Sequence, residues 1–216
     1  GDRMDWSPIP KHRGALRREP CLTDYEQARR GFTWDQARKL LDGLPGGALN
    51  IAHEAVGRHA RGPAGDRRAI RFLARDQAPH DLTFRQLADA THRVANVLTG
   101  LGVKRGDRVA TLMGRLPALY ATVLGTLAAG AVYCPLFSAF GPEPVRSRLT
   151  LGSARVLVTT DLLYRRKVEP IRDRLADLAH VLVVRTPGAG DLPAGTIDFD
   201  VAVAAASPEF EVAHTS

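Results

Sequence analysis

Apolar and polar positions change period along the chain. Residues 1–20 are polar and charged with no apolar centre, so no secretory signal is expected in them. TWDQ at 33–36 has the form of a capping box and predicts a short helix through Leu41, stopped by the glycines and proline of 42–47. Asn50 is placed to cap a second helix reaching about Ala60, and RGPAG at 61–65 is a turn. Residues 69–73 predict a strand with a short return at Leu82 and Thr83. TFRQ at 83–86 is a second capping box. Phe84, Leu87, Ala88, Val94, Leu98 and Leu101 then recur at helical spacing.

Beyond that helix the pattern alternates. Strands are predicted at 109–113, 131–134, 156–159 and 181–184, with helices at 116–129, 142–151 and 171–178. The helix at 116–129 is almost wholly apolar, so burial on most sides is expected. The uncharged run 116–142 is broken by Gly125, Gly130, Pro135 and Gly141, which speaks for a buried helix and strand rather than a membrane span. Strand–helix alternation at this spacing implies right-handed crossovers and an α/β fold. The short apolar strands imply a mostly parallel sheet covered by helices on both faces. The expected organisation is a mixed helical leader at 1–65, a parallel α/β subdomain at 66–185, and a loop and tail at 186–216, whose last twenty residues are weakly patterned.

Composition adds less. The net charge is +7, and only Lys11, Lys39, Lys104 and Lys167 are lysines, so the basic surface is mostly arginine. Excess positive charge suits phosphate-bearing partners. No block of five or six like charges occurs, so scattered surface arginine is the plainer reading and nucleic acid is not the expected partner. Two cysteines far apart, Cys21 and Cys134, make no disulfide framework and point to the cytoplasm.

Candidate chemistry is sparse. No G-x-x-x-x-G-K-[ST] loop and no G-x-S-x-G elbow is present. Glycines 100, 102 and 106 miss the dinucleotide spacing and follow a helix rather than a strand. His53 and His59 are six residues apart, on different faces of a helix, and Cys134 sits in an apolar strand. The residues assemble no nucleophile, base and oxyanion donor, and no metal site is expected.

A resemblance supplies more. DLTFRQL at 81–87 resembles the opening core motif of the adenylate-forming superfamily. VANVL at 94–98 and LGVKRGDRV at 101–109 resemble its following helix and strand. LAAGAVYCPL at 127–136 resembles its second core motif, and across the two motifs Leu82, Leu87, Leu127, Val132 and Leu136 are expected to be core. FSAFGPEPV at 137–145 with Arg148 and Leu149 narrows the likeness to AMP-forming acetyl-CoA synthetases and close acyl-CoA synthetases, and ARVLVTTD at 154–161 continues it.

The resemblance implies the partial N-terminal domain of the adenylate-forming fold. It also implies a reaction in which acetate or another short acid and ATP give an acyl-adenylate and pyrophosphate, after which CoA displaces AMP. ATP, Mg and CoA are implied for the full enzyme. In that pattern the phosphate loop, the adenine-binding motif, the ribose-binding Asp and the catalytic Lys fall after Ser216. This chain is therefore expected to be the front of such an enzyme, with no catalytic residue, inactive alone, and prone to self-association through an uncovered sheet face. By position, Ser138, Ala139, Arg165 and Lys167 are candidate CoA contacts, although the family has glycines where Ser138 and Ala139 stand. A solvated basic turn is the plainer reading of Arg165, Arg166 and Lys167. The alternative function is a non-catalytic anion- or nucleic-acid-binding α/β interaction module.

Overall fold

The computed structural model describes residues 20–73 and 78–215. The charged opening stretch of the leader lies outside the described residues. Two compact units are present, one ending at Leu41 and one beginning at Asp42.

The first unit holds helices α1 (Tyr25–Gly31) and α2 (Trp34–Lys39). Local signals set both starts: Asp24 accepts from the Gln27 N–H at 2.9 Å and Thr33 from the Gln36 N–H at 3.2 Å. Neither helix buries a residue.

The second unit opens with a helical stretch that Asn50 caps by accepting from the Ala52 N–H at 2.8 Å. It comprises a π-turn, His53–Gly57, running into α3 (Arg58–Arg61). An antiparallel hairpin follows, β1 (Arg68–Phe72) with β2 (His80–Thr83). The Thr83–Gln86 capping box is complete and starts α4 (Phe84–Gly100). Next come β3 (Arg108–Leu112), α5 (Pro117–Ala128), β4 (Val132–Leu136), α6 (Pro142–Leu151) and β5 (Ala154–Thr160). A single turn α7 (Asp161–Leu163), β6 (His180–Val184), β7 (Ile197–Asp198) and α8 (Phe199–Ala205) complete the order.

The five strands run in the order β4-β3-β5-β6-β7, every pair parallel. The period-2 alternation of each strand divides its residues between two cores. Ala110, Leu112, Leu157, Val181 and Val183 face Val145 and Leu149 of α6, together with Tyr164, Val168 and Ile171. Val109, Met113, Val156, Val158 and Leu182 face Val94 and Leu98 of α4, Ala121 of α5 and Phe199 of α8. The sheet is thus covered on both faces, as its short apolar strands require. The apolar helix α5 is buried at Ala121, Thr122, Gly125, Thr126 and Ala128. Against α4 it packs so closely that a Cβ on Gly125 would lie 2.7 Å from Val94 Cγ1 and 2.9 Å from the Thr91 carbonyl.

Three expectations are corrected. Val132 is 46% exposed rather than core, because β4 is the edge strand; the edge position also accommodates Pro135, which has no N–H to give a second neighbour. The α-helix expected at 171–178 does not form: a π-turn, Tyr164–Val168, runs into a 3-10 turn, Glu169–Arg174, which reaches only the first half of that range. Pro170, near the start of the 3-10 turn, has no N–H to continue the preceding winding. The stretch after 196, weakly patterned in sequence, forms β7 and α8, with Asp198 accepting from the Val201 N–H at 3.1 Å.

Residues 206–215 then run extended beside α4. Asn96 donates to the Ser207 and Glu209 carbonyls at 2.9 and 2.7 Å, and Arg93 to those of Ala204 and Ala206. Thr215 and Leu49 exchange backbone hydrogen bonds at 2.8 Å in an antiparallel bridge.

Candidate functional site

In a parallel sheet the loops after each strand gather along one edge. After β3 the chain moves outward to β4, then crosses back to β5 on the other side of β3. This reversal makes the carboxyl ends of β3 and β5 a topological switch point, the kind of place where open α/β sheets bind ligands. Thr159 fastens the two strands there, donating from Oγ1 to the Leu112 carbonyl at 2.7 Å.

Two segments flank this edge. The first is the 137–140 loop leaving β4. The Phe140 N–H donates to the Phe137 carbonyl at 3.0 Å and closes a turn. The two rings meet edge to face, with centroids 5.6 Å apart. Arg148, from α6, lies 4.1 Å from the Phe140 centroid, within cation–π range. Phe137 is 65% exposed, and Ala139 is exposed beside it.

The second segment is the basic turn Tyr164–Val168 after β5 and α7. Tyr164 and Val168, one at each end, are buried in the same core cluster as Leu136, Val145 and Leu149. Arg165, Arg166 and Lys167 are therefore held outward between two anchors. Lys167 reaches across the edge and donates from Nζ to the Ser138 carbonyl. The crossover topology thus brings together two of the four residues proposed from sequence, 29 positions apart. Arg165 turns the other way and donates to the Asp191 carbonyl at 2.6 Å, in the loop after β6. Ala139 keeps its place on the loop but touches none of the basic side chains directly among the described contacts.

One supporting residue escaped sequence reasoning. Asp161, just past the end of β5, accepts from the Thr186 N–H at 2.9 Å and from its hydroxyl at 2.8 Å. Burial pushes the Asp161 carboxyl up, but these bonds more than offset it, so its pKa lies below the usual value. An aspartate directly after a strand's last residue was the available signal.

Elsewhere the charged residues are structural. His53 is buried, with Nε2 2.8 Å from Asp42 Oδ2 and Nδ1 3.1 Å from Arg61 Nη2. Arginine has no acceptor, so Nδ1 accepts and Nε2 carries the proton given to Asp42. Glu54 accepts from the Asp42 and Gly43 N–H groups at 3.0 and 2.7 Å and from Arg58 at 2.9 Å. His59 packs on Phe84 with ring centroids 5.1 Å apart. Arginines 58, 71, 85, 146 and 155 each pair with a carboxylate. No helix among the described residues is long and apolar enough to cross a membrane, and no three His, Cys, Asp or Glu side chains there converge on a metal position.

Residues 56–209 match the family model of the AMP-binding enzyme. The acetyl-coenzyme A synthetase of Bacillus subtilis is 36% identical over 203 residues, covering 92% of this chain and 34% of that protein. That of Streptomyces coelicolor is 35% identical, covering 76% of this chain and 30% of the relative. The crystal structure of Brucella canis acyl-CoA synthetase superposes with a TM-score of 0.75 at 37% identity, over 88% of this chain and 34% of that one. The acetoacetyl-CoA synthetase of Streptomyces lividans gives a TM-score of 0.70 at 29% identity, over 79% of this chain and 27% of that one. The chain spans about a third of the length of the relatives it matches. With well over half of its residues inside the family model, and the same sheet in the solved relatives, this chain belongs to the AMP-binding enzyme family.

Proposed function

We propose that the chain forms the N-terminal part of an AMP-forming acetyl- or short-acyl-CoA synthetase and that its part in the reaction is to hold CoA. In that reaction a carboxylate attacks the α-phosphate of ATP, giving acyl-adenylate and pyrophosphate. The CoA thiol then attacks the acyl carbon, releasing AMP and a proton. The observation that carries the reading is the convergence of the 137–140 loop and the basic turn 164–168 on one end of the parallel sheet. Phe137 offers an exposed ring for stacking, and the turn offers charge-assisted hydrogen bonds to phosphate.

ATP and magnesium use is what the family implies for a full-length enzyme. The described residues of this chain do not themselves fit that group: no acidic cluster converges there, and the sequence holds no phosphate loop. The two cysteines are free thiols, which suits a reducing compartment, and we place the protein in the cytoplasm. Self-association through apolar surface stands as a further expectation.

Titration calorimetry of the 216-residue chain with CoA tests the reading, alongside pyrophosphate–ATP exchange with acetate. Saturable CoA binding that weakens with added salt, and no exchange, are expected. Absence of CoA binding at low salt, or acetate-dependent exchange by this chain alone, would overturn it.

A further inference from the structure

The hydrogen bonds around His53 have an effect beyond the turn they hold. His53 is 4% exposed, and both ring nitrogens are engaged, Nε2 by Asp42 and Nδ1 by Arg61. Gly57 leaves room for this contact: a Cβ there would lie 3.3 Å from His53 Nδ1 and 3.9 Å from Arg61 Nη2. The relay from Asp42 through His53 thus fixes one corner of the Arg61 guanidinium. The rest of that group has no carboxylate partner among the described residues. A planar fork held at one corner and open at the other is preorganised for a carboxylate.

Arg61 lines a cavity of about 480 Å³, a volume within the range of small-molecule sites. Its apolar lining includes Ala60 of α3, Ala88 of α4, and Phe210 and Val212 of the extended segment beside α4. Those last two also pack against Ala95 and Ala128. His92 reaches from α4 to the same segment, its Nδ1 donating to the Pro208 carbonyl at 2.9 Å. The charged groups divide between the two sides. The helical side carries Arg61, Arg85 and Asp89, with Arg85 Nε already given to Asp66 at 3.2 Å. The extended segment carries Glu209 and Glu211, neither in an ion pair among the described residues, and His214.

Three carboxylates along the lining repel a polyanion. A simple apolar acid would satisfy Arg61 and leave Glu209 and Glu211 without counter-charge. A zwitterion answers both sides, and the apolar lining answers a hydrophobic body. We propose that this cavity is a second ligand site, independent of the CoA reading, and that it takes a small amino acid with an apolar side chain, its carboxylate on Arg61 and its ammonium towards Glu209 and Glu211. The site belongs to the α4 layer, whereas Leu136 and Tyr164, beside the CoA candidates, lie in the core on the α6 side of the sheet.

The test uses calorimetry of the 216-residue chain with three probes that share a phenyl ring. These are L-phenylalanine, 3-phenylpropanoate, which lacks the ammonium, and 2-phenylethylamine, which lacks the carboxylate. L-Phenylalanine is expected to bind about tenfold more tightly than either single-charge probe, with NMR shifts centred on α3, the first half of α4 and residues 208–214. Arg61→Gln weakens L-phenylalanine about tenfold and leaves 2-phenylethylamine unchanged, and Arg61→Lys loses less. The double variant Glu209→Gln, Glu211→Gln weakens L-phenylalanine about tenfold and leaves 3-phenylpropanoate no weaker. Slow exchange of the Leu157 amide in the central strand confirms folding of each variant. No binding of L-phenylalanine, equal binding of the three probes, or shifts centred elsewhere overturns the site. Unchanged L-phenylalanine affinity in Arg61→Gln, or equal loss of all three probes in that folded variant, overturns the carboxylate contact. The same outcomes in the double glutamine variant overturn the ammonium contact.

Discussion

The helices of 25–39 and the helices on the sheet begin with the same chemistry and end in different states. Thr33 caps α2 as Thr83 caps α4, each through its hydroxyl and the N–H of a glutamine three residues on. Yet α2 buries nothing, and Trp34 within it is 81% exposed, whereas α4 buries Leu87, Ala88, Thr91, Val94, Ala95 and Leu98. Capping satisfies orphan backbone donors and decides where a helix starts. It does not decide whether the helix has anything to pack against. An isolated helix of six or seven residues is marginal in water, so most helical stability comes from burial of a face.

The sharpest way to break that contrast is truncation in each region. Leu157→Ala removes a fully buried side chain from the central strand and should cost about 2–5 kcal/mol, read as a lowered denaturant midpoint. Trp34→Ala should shift the same midpoint by less than about 0.5 kcal/mol, as surface substitutions do. Equal losses would show that the first unit shares the core of the second.

A smaller effect is expected where the body is tightest. Gly125→Ala should destabilise by about 1–3 kcal/mol, because Val94 and the Thr91 carbonyl already occupy the space a methyl needs. A stabilised variant, as alanine's helix propensity alone would give, would show that α4 and α5 can move apart.

The smallest effect is in the hairpin. Arg71 beside Asp81, through its hydrogen bond first, holds that carboxyl at about 2 rather than 3.8. The folded value lies below the ordinary one, so the stabilisation is fully present above about pH 4 and is lost as pH falls through about 2. An Asp81 carboxyl titrating near 2 by NMR, and moving up in Arg71→Gln, is the expected outcome. A normal midpoint in the parent chain would mean the ion pair does not persist in solution.

Legibility in the sequence followed the range of the interactions. The helix starts at Thr33 and Thr83, the parallel strands and the buried apolar helix rest on neighbours within a few residues or on strict periodicity, and all are in the structure, although only the Thr83–Gln86 capping box is complete. The 198–215 stretch was opaque because its partners are remote: Asn96 and Arg93 on α4 hold carbonyls more than 100 positions away. Val132 misled because its apolar character says nothing about which strand becomes the edge. The candidate site was legible only by likeness. That Lys167 meets the Ser138 carbonyl depends on the chain crossing β3 between them, and no spacing rule encodes that.

The bridge between Leu49 and Thr215 also has a consequence in time. It joins residues 166 positions apart, near the first and last positions of the unit that begins at Asp42. The entropy of closing so long a loop grows only logarithmically, so the seam costs little at equilibrium. During synthesis the delay is larger. At about 5–20 residues per second, roughly 8–33 s separate the emergence of Leu49 from that of Thr215. For that interval the edge of residues 49–50 waits without its partner, while the hairpin, α4 and the first parallel strands can already assemble. A nascent chain of this protein is exposed first at the place that closes last.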